Sequence, residues 1–131
     1  MSQKIQDGEM YKQIGKIKSV QIGVEDHGIM VMNIDFDFGG SGQVYQVVLD
    51  TYDKEKDSRI GTVFGCELLR RICNLFTVDD INDMVGQTAY ALYDSDEYGG
   101  FISGIENPPF NMHNHNMSNR IITKELFEEL K

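Results

Sequence analysis

Residues 30–38 constrain the fold more than any other stretch of the chain. Met30, Met32, Ile34, Phe36 and Phe38 alternate with Val31, Asn33, Asp35 and Asp37. A period of two places the apolar set on one face of a β-strand and the carboxylates on the other. A strand with one wet face belongs to an antiparallel sheet, and its apolar face needs a cover.

The flanking sequence supplies the neighbours. A strand beginning at Lys16 carries Val20, Ile22 and Val24 against Gln21, Gly23 and Glu25, and Glu25-Asp26-His27-Gly28 reads as its closing turn. Gly39-Gly40-Ser41-Gly42 makes a hairpin loop, and Tyr45, Val47 and Leu49 mark a third strand over residues 43–50. Residues 53–59 form a charged loop. The period then changes: Phe64, Leu68, Ile72 and Phe76 recur every four residues, which predicts an amphipathic helix of about twelve residues suited to covering the sheet. Thr77, with Asp80 three residues on, opens a second short helix with Ile81, Met84 and Val85 on its buried side and Gly86 at its end.

Residues 87–93 and 101–105 alternate again as strands, joined by a turn-rich loop over 94–100, and Pro108-Pro109 ends the sheet. Residues 111–119, rich in Asn, His and Met, read as an exposed loop. Thr123 caps a terminal helix carrying Leu126, Phe127 and Leu130, too short to stand without docking on its own domain or a second chain. Residues 1–14 are polar and read as a loose arm or a short helix. The expected order is β-β-β-α-α-β-β-α. This is an α+β domain over residues 1–131, an antiparallel sheet of about five strands covered on one face by helices.

Charge and cysteine content narrow the function classes. The chain holds 21 acidic and 12 basic residues, a net charge of −9. Duplex nucleic acid is bound by neutralising phosphates with Lys and Arg, so an acidic domain without a basic tract is a poor candidate for it. Anionic membrane surfaces are disfavoured by the same charge. No apolar run approaches the length of a membrane span, and MSQKIQDGEM lacks the apolar segment of a secretory signal. Cys66 and Cys73 share the predicted covering helix, about 10.5 Å apart along its axis, too far for a disulfide. They read as small buried side chains in a reducing cytosol.

No catalytic set emerges. Ser41, Ser58, Ser95 and Ser103 lack a nucleophile-elbow context. His113-Asn114-His115 is an H-x-H pair, with His27, Asp94, Asp96 and Glu97 the only supply of further ligands. As a metal-dependent hydrolase site it is outweighed by a polar surface loop. Asp35 and Asp37 share a strand face, which the solvent side of the sheet explains. Neither a metal nor a cofactor is expected. The anion-binding candidates are the four arginines, Arg59, Arg70, Arg71 and Arg120, because a guanidinium fork grips a phosphate bidentately. Each competes with ion pairing to the many acids. Thr62 stands where a helix N-terminus offers free N–H groups, or serves only as its cap. Tyr45, Tyr90, Tyr93 and Phe101 are the aromatics available for stacking on a base.

Four segments carry a resemblance: Lys16-Ile17-Lys18-Ser19, Glu25-Asp26-His27-Gly28-Ile29, Gly39-Gly40-Ser41-Gly42-Gln43, and Gly61 through Ile72 (GTVFGCELLRRI). In order and spacing they resemble a group of short proteins of tailed bacteriophages and prophages, over roughly residues 16–105. That group is similar in size and α+β make-up to the phage anti-Thoeris sponges. The resemblance implies a non-enzymatic homo-oligomer in the host cytoplasm that sequesters a nucleotide-derived immune signal. The signal would be a cyclic ADP-ribose isomer made by a TIR-domain enzyme, or a cyclic oligonucleotide. No binding residue carries over position by position, so the candidate site rests on residue chemistry alone. The C-terminal helix and the Met-rich strand are the candidate subunit contacts. The competing expectation is an acidic phage protein that inhibits a host protein by direct contact, its charge mimicking an acidic surface.

Overall fold

A computed structural model describes residues 2–97, 99–109 and 119–131. The fold is α+β. Its main sheet is antiparallel and seven-stranded, in the order β4-β3-β2-β7-β8-β9 with β1 paired to β2. The strands are β1 (Ile5–Asp7), β2 (Met10–Val24), β3 (Met30–Asp37), β4 (Gly42–Val48), β7 (Thr88–Tyr93), β8 (Gly104–Glu106) and β9 (Arg120–Ile122). A separate ribbon pairs β5 (Asp50–Asp53) with β6 (Ser58–Gly61). Helix α1 spans Val63–Phe76 and α2 spans Thr123–Glu129.

The alternation over 30–38 is realised. Met32, Ile34, Phe36 and Phe38 are buried, and they join Ile17, Val20, Tyr45 and Val47 from the flanking strands in one core cluster. Leu68, Ile72, Leu75 and Phe76 of α1 close that cluster from above. A β-bulge in β2 falls at Lys18: Ile17 pairs with Phe36 and Ser19 with Asp35, leaving Lys18 without a partner in the ladder. Ile17 and Val20 thus both face the core although three positions separate them.

The sheet curls until its two ends meet. Tyr45 on β4 shares a 2.5 Å hydrogen bond with Thr123, the residue after β9. Gln43 Nε2 donates to Gly100 O at 2.5 Å. Two approaches leave no room for a side chain. A Cβ on Gly65 would lie 2.3 Å from Leu49 O, and one on Gly15 would lie 2.7 Å from the Phe38 ring. The first turn of α1 therefore rests directly on the backbone at the corner where β4 gives way to β5.

Several expectations are corrected. The main sheet and ribbon hold nine strands among the described residues, not about five. Residues 1–14 are no loose arm: Asp7-Gly8-Glu9 turns β1 back onto β2, with Gly8 at φ 64. Ser2 is tied down by its N–H on Phe38 O (2.8 Å) and its hydroxyl on Ile14 O (2.6 Å). The charged stretch 53–59 is the tip of the β5–β6 ribbon, whose faces are largely solvated and so carry no apolar period. Thr77 ends α1 in the left-handed region at φ 55, and the second helix is only a 3₁₀ turn at Ile81–Met84 capped by Asp80. The return strand begins at Gly104 rather than Phe101. The sheet resumes after Pro109 with β9. Thr123 is the first residue of α2 and does not cap it, because its hydroxyl is engaged by Tyr45. Cys66 is exposed and Cys73 half-buried; both are free thiols. Ile22, Val24 and Met30 share the core-facing side of their strands yet are exposed. The terminal helix docks on its own chain, with Leu126 in the core and Phe127 edge-on to Phe64 at 5.4 Å.

Candidate functional site

The arginines do not converge on a free anion site. Arg59 forks Asp50 through Nε (3.0 Å) and Nη2 (2.7 Å), and this grip holds the Asp50 carboxyl below its ordinary value. Arg70 and Arg71 both clasp Glu67, at 2.7 and 3.0 Å, and Arg71 also reaches Glu129 on α2 at 2.8 Å. Arg120 bonds Asp7 and Glu106, each at 2.5 Å. A phosphate at any of them would share the guanidinium with a carboxylate already bound to it.

The other sequence candidates fall into separate places. Thr62 caps α1, accepting from Gly65 N–H at 2.9 Å and donating to Leu49 O at 2.7 Å, so its one proton is committed within the fold. Tyr45 is buried and its hydroxyl pushed up to about 12 by that burial. The structure brings Tyr45 and Thr62 together in one groove of 470 Å³, largely apolar, between β4 and α2. Tyr90 and Arg120 meet in a different cluster on the opposite face of the sheet. There Lys12 lies over the Tyr90 ring at 4.4 Å and pairs with Glu106 at 3.2 Å. Arg71 and Arg120 also border a recess of 220 Å³ beside Glu125 and Glu129. Phe101 stands apart, 93% exposed. His113 and His115 lie outside the described residues. Among the described residues no group of three or more His, Cys, Asp or Glu could hold a metal.

Another cleft lies at the other end of the curled sheet, under the glycine-rich loop. It has a volume of 650 Å³, within the range of small-molecule sites. One wall is Phe38, stacked on Phe36 at 5.6 Å. Gly42 and Ser41 form its rim, and Ser2 through Lys4 fold across it because β1 pairs back onto β2. Its floor is a hydrogen-bonded row. Gln13 Nε2 donates to Ser2 O at 3.0 Å and Gln43 Nε2 to Gly100 O, which turns both amide oxygens toward Tyr93. The Tyr93 hydroxyl lies 3.1 Å from Gln13 Oε1 and 3.2 Å from Gln43 Oε1. A phenol has one proton, so it satisfies one of these carbonyls at a time. The phenol thus ties the two glutamines together beneath the cleft. Burial pushes the Tyr93 hydroxyl up to about 12, so it remains a donor at neutral pH.

Lys4 supplies the cation. Its Nζ donates to Glu97 O at 2.7 Å and sits 3.9 Å from the Tyr93 ring centroid. Burial pulls the ammonium below the ordinary lysine value, while Asp96 and Glu97 oppose the shift. An ammonium carries three donors, so the carbonyl leaves donors for a second acceptor. None of Lys4, Gln13 or Phe38 is among the site candidates read from the sequence, although Phe38 is read there as a core-facing strand residue. Gln13 and Gln43 did carry a signal: each is an amide at a core-facing position of its strand, opposite Ala91 and Phe36.

Comparison with protein-family models, with curated proteins and with solved structures finds no match to this chain. No helix among the described residues is long and apolar enough to cross a membrane.

The Glu67 cluster yields a pH prediction. Hydrogen bonds from Arg70 and then Arg71 hold the Glu67 carboxyl down to about 2, against an ordinary glutamate near 4.3. A depressed folded value means that its stabilising contribution is full above the unfolded value and fades as pH falls toward about 2. Carboxyl-detected NMR titration should show Glu67 protonating near pH 2, well below an ordinary glutamate. An ordinary midpoint would mean the two arginines do not hold it in solution.

Proposed function

We propose that this chain binds a small nucleotide-derived molecule, without transforming it, in the cleft beneath the Gly39–Gly42 loop. The composition of the cleft carries the reading: the Lys4 ammonium, the amides of Gln13 and Gln43 and the border of the Phe38 ring, beside the Asp96 carboxylate. The ammonium suits an anionic group and the amides suit the polar edge of a base. Its volume suits a ligand of that size. The resemblance to phage signal-sequestering proteins points to the same ligand class and to a sponge that suppresses host defence. The arginines named from the sequence give this reading no support, since each is already paired.

The test is calorimetric titration with cyclic ADP-ribose isomers and cyclic di- and trinucleotides, followed by recovery of the ligand after denaturation. Binding with intact ligand is expected. A charge-assisted hydrogen bond is worth about 1.5–3 kcal/mol, so Lys4→Ala should weaken binding about ten- to a hundredfold. No binding by any member of the panel, or degraded ligand, overturns the proposal.

Phe101 favours a second reading, inhibition of a partner protein by contact. A fully presented ring beside Val44, on an acidic molecule, has the form of an interface anchor. It predicts a salt-sensitive complex with a host protein that Phe101→Ala abolishes, and no effect of Lys4→Ala.

A further inference from the structure

The second half of β2 has no strand on its outer side among the described residues, only the 3₁₀ turn Ile81–Met84 beside it, and it stands apart from the ligand cleft. On one side β2 pairs with β3 as far as Val24↔Met30. On the other, β7 stops at Lys16↔Thr88, with Gln87 and Gly86 adding bonds only to Ile17. From Ser19 to Val24 no strand pairs with that outer edge among the described residues. Protected edges carry charges, prolines or bulges along their exposed length. This segment, Ser-Val-Gln-Ile-Gly-Val, carries none. Its core-facing side chains lack a cover, leaving Ile22 39% and Val24 69% exposed, with Met30 of β3, opposite Val24, 37% exposed. A groove of 530 Å³ runs along it, bounded by Ile81 and Asn82.

We infer that this edge pairs with the same edge of a second copy, antiparallel about a two-fold axis at Ile22. Opposed residues in an antiparallel ladder must share a face, and centring the axis on Ile22 satisfies this. Val20 then meets the second copy's Val24, Gln21 meets its Gly23, and the two Ile22 side chains meet on the axis. The ends match in charge. Lys18, just before the segment, comes beside the acidic turn Glu25-Asp26 of the second copy, and each such contact occurs twice. A parallel or shifted pairing loses this match. The exposed apolar side chains of both copies cover one another, and the two sheets become one.

Sedimentation velocity over a concentration series tests the pairing. The wild-type chain should show a monomer–dimer equilibrium. Ile22→Lys sets two like charges face to face and should raise the dimer Kd by about tenfold or more. Val24→Lys, at a more exposed position, should do likewise with circular dichroism unchanged. Asp26→Lys alone should weaken the dimer, and Lys18→Asp combined with Asp26→Lys should restore it. A monomer at every concentration overturns the inference. So does a dimer indifferent to both apolar substitutions, or single reversals whose combination fails to recover association.

Discussion

Gly65→Ala should destabilise the protein by about 3 kcal/mol, although alanine is the better helix former by about 1 kcal/mol in an isolated helix. The reversal of sign comes from one contact. The added methyl would lie 2.3 Å from Leu49 O and about 3.0 Å from the Leu49 carbon atoms, all of them backbone. Neither side can yield cheaply. Leu49 N–H is bonded to Met30 O at 2.9 Å, and Leu49 O accepts from the Thr62 cap. Lifting α1 would open the layer of Leu68 and Ile72 over the sheet. Urea denaturation with the midpoint read at constant m-value measures the loss. A neutral or stabilising result would show that α1 does not rest on that corner.

Removing Glu106 should cost about as much. Its carboxylate is 1% exposed, and it accepts from Arg120 at 2.5 Å and from Lys12 at 3.2 Å. Deleting one member of a buried ionic cluster leaves the others desolvated and unpaired, at about 3–5 kcal/mol. Glu106→Ala should fall near the lower end, because Lys12 and Arg120 keep partial access to water and Asp7 still pairs with both. Asp7→Asn is the contrasting variant. Asp7 is 40% exposed, and its loss should cost about 1 kcal/mol or less. Equal effects for the two variants would contradict the burial order that distinguishes them.

What could be read in the sequence follows from how each segment meets water. Strands β3 and β4 and helix α1 each have one dry face and one wet face, so their periods of two and of about four survive in the residue order. The β5–β6 ribbon offers no such contrast and looks like a charged loop. The front half of β2 was hidden for another reason. Lys12 and Lys16 fall on the face opposite the core, and of the core-facing positions Tyr11, Gln13 and Gly15 the last two lack the usual apolar mark. Gly15 is there because the Phe38 ring fills the space its side chain would take. Thr77 in a left-handed conformation leaves no compositional trace, since glycine usually fills that role.

The candidate site was less legible still. Arginines are conspicuous in an acidic sequence, but pairing is a property of three dimensions, and each of the four found a carboxylate. The cleft residues come from the N-terminal segment, β2, the β3–β4 connection, β4 and the 94–100 loop, and only the curl of the sheet assembles them. Two glutamines at core-facing positions were the one local sign.

The bulge at Lys18 bears on how this fold tolerates changes in chain length. Of the 15 residues of β2, Lys18 alone has no ladder partner on the β3 side between Lys16 and Val24. Deleting it would set Ile17, Ser19 and Val20 in simple alternation and keep the core residues pointing inward. Deleting a paired residue far from the bulge would turn the rest of the strand inside out. Homologous chains that differ by one residue in this strand should therefore differ here, at the boundary between the enclosed half of β2 and its open edge.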